Sequence, residues 1–375
     1  MSRSLETSAP AFRLIHPGDP APRFVQASTS RDRYALDAAG GRYLLLAFFG
    51  TTDDETARNA LDAVQSRRAL FDDARLAFFG VSVNPADQTR VGADLPGLRW
   101  FWDFDRSVSR LYGAAPLNQD GGAFRRLWVL IDPMLRVQTV IPFAPDGADL
   151  AQLLATLDGL HSLQDWAGDV IRAPVLYLPN VFEPELCQDL IAAYDAGEGE
   201  LSGVMKEREG RTVMVMDAGH KRRRDVILTD QPLIERAQAR VRQRILPEIR
   251  RAYQFEATRM ERHLVACYAD EDGGHFRAHR DNTTKGTAHR RFAVSINLSD
   301  DFEGGEIGFP EFGPHTYKPP PGGAVVFSCF LLHQVSPVTR GRRYAYLPFL
   351  YDEAAAAVRE ANSAFLGDSI PAYRA

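Results

Sequence analysis

From Arg42 to Gly50 the run RYLLLAFFG is apolar almost throughout and closes on a glycine, the pattern of a strand buried on both faces. The period then changes. Asp53-Asp54 can cap and charge a helix N-terminus, and Ala57, Ala60, Leu61, Val64 and Ala69 recur at roughly helical spacing. Further runs follow at 76–83 (LAFFGVSV), at 98–104 (LRWFWDF) and at 126–143, where RLWVLID passes a short turn at Asp132-Pro133 into VQTVIPF. Strands alternating with helical stretches predict an α/β layer whose last two strands form a hairpin. Leucines at 150, 153, 154, 157, 160 and 163 predict a closing amphipathic helix over 148–163.

Gly and Pro interrupt the pattern around Trp166 to Pro174, within DWAGDVIRAP, and mark a boundary. Beyond it VLYLPNVF reads as strand and turn, and EPELCQDLIAAYDA as a helix with Pro184 in its first turn. Residues 230–253, with Leu233, Ile234, Ala237, Val241, Ile245 and Ile249, predict one long supporting helix. The remainder alternates short strands with Gly/Pro turns: RHLVACYA, FRAHRD, RFAVSINLS, GEIGFP, AVVFS and YAYLPFLY, as in an antiparallel sandwich or barrel. The expected organisation is a first domain over 1–165, a linker over 166–174, a second domain over 175–352 and a tail over 353–375.

Length agrees with more than one domain, since 375 residues exceed the size at which a single core stops growing. A formal net charge of -5 offers no polycation for a phosphate backbone, so general nucleic-acid binding is not expected. No uncharged run approaches the length of a membrane span, and MSRSLETSAPAF lacks a signal-peptide core, so a cytoplasmic protein without a membrane partner is expected. The three cysteines, Cys187, Cys267 and Cys329, are widely spaced in apolar contexts and read as small buried hydrophobes.

The candidate chemistry centres on FRAHRDN. In a strand, positions i and i+2 face one side, so His279 and Asp281 can converge on one ion while Arg280 points away. His333, in VVFSCFLLHQVSPV, could add a second imidazole. Two histidines and one carboxylate on one face of an octahedral ion leave three positions open, which suits Fe(II) binding a co-substrate and O2 together. A lone His-x-Asp among nine histidines is weak, but an ordered set surrounds this one: Tyr268, Gly274, Phe276, Gly304-Gly305-Glu306, Gly323-Ala324-Val325-Val326-Phe327, and Arg343 ten positions past His333.

In this order and spacing, 175–352 resembles the prolyl 4-hydroxylase-like Fe(II)- and 2-oxoglutarate-dependent dioxygenases. The resemblance implies a double-stranded β-helix, or jelly roll, with supporting helices. It implies that His279, Asp281 and His333 ligate iron, that Arg343 grips the far carboxylate of 2-oxoglutarate with its planar fork, and that Tyr268 and Asn297 belong to the co-substrate pocket. Of two neighbouring arginines, strand alternation lets only one point inward, and the family spacing favours Arg343 over Arg342. The implied reaction consumes 2-oxoglutarate and O2, releases succinate and CO2, and hydroxylates an amino-acid-like small molecule or a peptidyl side chain, with ascorbate as a supporting reductant.

The opening HPGDPAPRF, the LLLAFF strand and the LWVLIDP hairpin resemble the thioredoxin-fold peroxiredoxins over about 1–165. Those enzymes place a cysteine at the start of the helix after that strand; here the segment reads Gly50-Thr51-Thr52-Asp53-Asp54-Glu55-Thr56, and no cysteine precedes Cys187. Peroxidase chemistry by that mechanism is excluded for this domain. What remains for it is homo-oligomer formation, partner docking or inert stabilisation.

Other residues read as ordinary structure: His275, His289 and His315 as turn or surface histidines, His263 as the start of a strand, and Lys221-Arg222-Arg223-Arg224 as solvated surface rather than a basic rim for an acidic substrate. Segments 202–220 and 282–290 are the expected specificity loops. Two competing readings stand beside the oxygenase: a non-catalytic scaffold with both halves degenerate, and a cupin-type metal sandwich.

Overall fold

A computed structural model describes residues 10–118, 123–197 and 199–367. The opening of the expected first domain and the end of the expected tail lie outside these. The chain forms two compact units: one runs up to Arg172 and includes Pro310–Pro314, the other comprises Ala173–Phe309 and the chain from His315 onward.

In the first unit five strands form one sheet in the order Leu98–Trp102, Leu76–Ser82, Tyr43–Gly50, Leu127–Ile131, Val137–Pro142. The first three are parallel and the last two antiparallel. Tyr43, Leu45, Ala47 and Phe49 face the helices Glu55–Ser66 and Ala148–Asp158, while Leu44, Leu46 and Phe48 face Val108 and Tyr112. Both faces are covered, which explains the unbroken apolar run. Asp54 caps the first helix by accepting from the Ala57 amide at 2.9 Å. Hydrogen bonds from Arg126 hold its carboxyl below the usual range. The closing helix is shorter than its leucine pattern: it stops at Asp158, where Gly159 takes the C-cap.

Gly80 sits opposite Trp100, and a Cβ there would lie 2.3 Å from the indole. Gly80→Ala is therefore expected to cost about 1–3 kcal/mol through overpacking, measured as a lower thermal midpoint.

The second unit holds two sheets. The larger runs Arg259–Glu261, Phe349–Tyr351, Phe292–Asn297, Val338–Tyr346, Leu264–Ala269, Arg224–Ile227, Glu200–Leu201, with Ala324–Ser328 also pairing Phe292–Asn297. The smaller runs Lys221–Arg222, His275–His279, His333–Val335, Ile307–Gly308, Thr316–Tyr317. Helices Pro184–Asp195, Gln231–Arg244 and Leu246–Tyr253 contribute Leu190, Ala237, Val241 and Ile249 to the core shared with Val265, Val294 and Tyr346.

Three expectations are corrected. The single helix over 230–253 is two, broken at Ile245, because Pro247 has no N–H to donate and its ring collides with the carbonyl of residue i−4. The 202–220 loop is mostly a hairpin, Val204–Arg208 with Arg211–Val215, turning on Glu209 and Gly210, both at positive φ. The segment after 352 is not all tail: Glu353–Ala361 is a helix capped by Asp352.

That last helix is tied down by a buried charge cluster. The Glu261 carboxylate, 7% exposed, meets Arg290 at 2.7 Å, Arg359 at 2.8 Å and His289 at 3.1 Å. His289 is itself buried, against its reading as a turn or surface residue. Glu261→Leu would strand the Arg290 and Arg359 guanidinium groups and is expected to cost about 3–5 kcal/mol near neutral pH. Burial alone would raise the Glu261 carboxyl, but Arg290, His289 and Arg359 hold it below the usual range. A group depressed in the folded state stabilises above its unfolded pKa and loses that contribution as pH falls through the folded value. The stability gap between wild type and Glu261→Leu should therefore narrow only below the ordinary carboxylate range, as followed by denaturation across an acid series.

Candidate metal centre

The strand His275–His279 ends on the first histidine, and Asp281 follows in the turn, its amide donating to the Cys329 carbonyl at 2.9 Å. His333 opens the neighbouring strand and stands opposite His279 in register. The ligand atoms of His279, Asp281 and His333 all lie within 4.8 Å of one another. His279 Nε2 is 3.5 Å from Asp281 Oδ1, and His333 Nε2 is 3.3 Å from Asp281 Oδ2.

The other nitrogen of each ring sets the chemistry. His279 Nδ1 donates to the Arg277 carbonyl at 2.8 Å and His333 Nδ1 to the Leu331 carbonyl at 3.0 Å. A carbonyl only accepts, so in each neutral ring Nδ1 carries the proton and Nε2 presents its lone pair. Burial first, then His333, pushes His279 down to about 4, against the pull of Asp281. Burial alone would raise Asp281, yet His333 and His279 hold it below the usual carboxylate range. Imidazole lone pairs aimed at a carboxylate repel unless a cation stands between them, and an N2O set on one face suits Fe(II). The residues fit the metal the sequence implied.

Arg343 is 1% exposed. Its Nε donates to Asn297 Oδ1 at 3.0 Å and its Nη2 to Ser295 Oγ at 2.8 Å. Both acceptors are neutral, and among the described residues no carboxylate forms an ion pair with it; burial pulls its pKa below the ordinary value. Asn297 in turn donates to the Pro319 carbonyl at 2.8 Å. Tyr268, opposite Arg343 in register and 2% exposed, places its ring 5.4 Å from the guanidinium and accepts from Arg223 at 3.4 Å. Arg342 faces the other way and meets Glu271. All three cysteines are buried, and burial pushes Cys187 and Cys267 up to about 11.

Lys221 and Arg223, read from the sequence as solvated, are 7% and 5% exposed. Four consecutive charged residues hide which way alternate side chains point. Ser295, which holds Arg343, was also missed; its place two residues before Asn297, on the same strand face, was the available clue.

Residues 263–351 match the family model of the 2OG-Fe(II) oxygenase superfamily. A PKHD-type hydroxylase from Pseudomonas paraeruginosa is 37% identical over 91 residues, 22% of this chain and 39% of that protein. The chain thus spans about two fifths of the length of the curated relatives it matches. Among solved structures, a prolyl-4-hydroxylase from Pseudomonas putida aligns over 50% of this chain and 95% of its own at 17% identity and TM-score 0.37. The bacterioferritin comigratory protein of Xanthomonas campestris aligns over 36% of this chain and 90% of its own at 16% identity and TM-score 0.31. The stretch 263–351, which contains His279, Asp281 and His333, thus matches a 2OG-Fe(II) oxygenase domain, a family whose cofactors are Fe(II), 2-oxoglutarate and O2.

Proposed function

We propose that the chain is an Fe(II)- and 2-oxoglutarate-dependent dioxygenase that hydroxylates an amino-acid-like small molecule or a peptidyl side chain, releasing succinate and CO2. The observation that carries this is a pairing: three convergent metal donors in one place, and a buried guanidinium held only by neutral acceptors in another. An uncompensated buried charge is costly, and a dicarboxylate co-substrate relieves it. Within this reading the two sheets of the second unit form a double-stranded β-helix, and the first unit is a thioredoxin-like scaffold without redox chemistry of its own.

His279, Asp281 and His333 would hold Fe(II), which with 2-oxoglutarate supplies the oxidising chemistry. The chain's own residues do the positioning. The Arg277 and Leu331 carbonyls fix both ring orientations, so the ligating nitrogens are aimed before the metal arrives. Asn297 and Ser295 hold the Arg343 fork in one plane, ready for a bidentate carboxylate. Tyr268 accepts from Arg223 and so keeps its own O–H to donate to the same carboxylate. Phe327 and Phe309 pack beside His333, at 4.6 and 6.3 Å between ring centroids, and limit water there.

Incubating pure protein with Fe(II), ascorbate, 2-oxoglutarate and O2 should yield succinate that disappears when iron or 2-oxoglutarate is omitted. Absence of both iron binding and succinate across broad substrate mixtures would favour the non-catalytic scaffold instead.

A further inference from the structure

The run Lys221-Arg222-Arg223-Arg224 is split by strand alternation. Arg222 turns outward to the carbonyls of Ala218 and Asp272, while Lys221 and Arg223 turn inward. Lys221–Arg222 lies beside His275–His279, which pairs with His333–Val335, so Lys221 is one strand away from a metal ligand. It stands opposite Phe276 in register, with Nζ 5.0 Å from the ring centroid. Phe276 and His279 are three residues apart, and strict alternation would separate them. A register shift between them instead stacks the two rings, with centroids 3.5 Å apart. Ammonium, phenyl ring and ligating imidazole therefore follow one another on a single face.

Asp225 and Asp281 act on Lys221 only from a distance. Its Nζ donates to Ser202 Oγ at 2.6 Å and to the Gly203 carbonyl at 2.9 Å, both neutral, which leaves one of its three protons. The nearby carboxylate of Asp225 is taken: Arg223 grips both its oxygens at 2.6 Å, and Arg262 lies 3.6 Å away. Among the described residues no carboxylate forms an ion pair with Lys221. Under the proposed function Asp281 serves the metal and Arg343 the co-substrate, which leaves Lys221 as a cation on the face that carries Phe276 and His279. Burial, with Arg223 beside it, pulls its ammonium well below the ordinary lysine value, a penalty an arriving anion would relieve.

We propose that Lys221 anchors a carboxylate of the substrate, so that the site takes a carboxylate-bearing amino-acid-like or peptidyl compound in preference to its neutral counterpart. This rests on the oxygenase reading of the same site. The carboxylate has two sources, the α-carboxylate of a free amino acid or chain terminus and the side chain of an internal Asp or Glu.

The test is calorimetric titration of the full chain, loaded with Mn(II) and 2-oxoglutarate under nitrogen. One arm compares N-acetyl amino acids and short peptides with their C-terminal amides; the other compares internal Asp or Glu peptides with their Asn or Gln counterparts. In one arm the carboxylate should bind about tenfold or more tightly than its neutral partner, as a charge-assisted contact provides. Lys221→Met and Lys221→Gln should both erase that preference, Lys221→Arg should keep it, and all three should retain 2-oxoglutarate affinity within about twofold, since Arg343 supplies that contact. Equal binding within every pair, no carboxylate binding at all, or a preference that survives both neutral variants overturns the proposal. A wild-type protein that binds no 2-oxoglutarate overturns the oxygenase reading and takes this proposal with it, a failure visible before any pair is titrated.

Discussion

Replacing His279 or His333 with alanine is expected to lower Fe(II) affinity by more than about 100-fold, beyond the loss seen when only a supporting contact of a metal ligand is removed, and to end 2-oxoglutarate turnover. Each imidazole is oriented by its Nδ1 proton on a backbone carbonyl two residues upstream and contributes one of three donors. Without either, the remaining nitrogen and carboxylate cannot define a face of an octahedron. The same substitution should leave the metal-free protein no less stable, because it removes a lone pair pointed at the Asp281 carboxylate within 3.5 Å. Metal titration and thermal unfolding of the metal-free variants separate the two effects. A large drop in the metal-free midpoint would mean that His279 serves mainly as a packing partner for Phe276, whose ring stacks on it.

Arg343→Met is expected to weaken 2-oxoglutarate about 10- to 100-fold, the range of a lost charge-assisted contact to a carboxylate. Arg343→Lys should recover little, because an ammonium cannot reproduce two parallel N–H bonds. In the metal-free protein the Met variant should differ little in stability: losing the bonds to Asn297 and Ser295 is offset by relieving a buried, unpaired cation. Fe(II) affinity should change least of all, since Arg343 is outside the donor cluster. Parallel titrations with metal and with 2-oxoglutarate check this; equal loss of both ligands would point to a collapsed site rather than a lost carboxylate contact.

Much of this was legible in the sequence because the two periods are clean. YLLLAFFG is apolar throughout since helices cover one face of its sheet and Val108 and Tyr112 the other, and AVVFS is a strand over its whole length. His279 and His333 are 54 positions apart, and only the ordered residues between them, together with Arg343, linked the two. Where reading failed, a single physical reason recurs: patterns of period or charge do not report which partner a residue meets. Pro247 broke a helix whose apolar spacing ran on across it. Lys221 and Arg223 were hidden in a run where every member is cationic, so alternation left no trace. His289 became a buried partner of Glu261 through a contact 28 positions distant. The hairpin over 204–215 was missed as well: VMKER and RTVMV lack a clean polar/apolar alternation, so only the Glu209-Gly210 turn marked it.

The central claim is that metal and 2-oxoglutarate occupy one coupled site, and the most direct measurement is the affinity of the full chain for 2-oxoglutarate under nitrogen, with and without Fe(II). Chelation makes the binding of each ligand favour the other reciprocally. The account predicts tight 2-oxoglutarate binding that depends on Fe(II), is lost in His279→Ala and is weakened about 10- to 100-fold in Arg343→Met; binding that is indifferent to the metal and to both substitutions would contradict it.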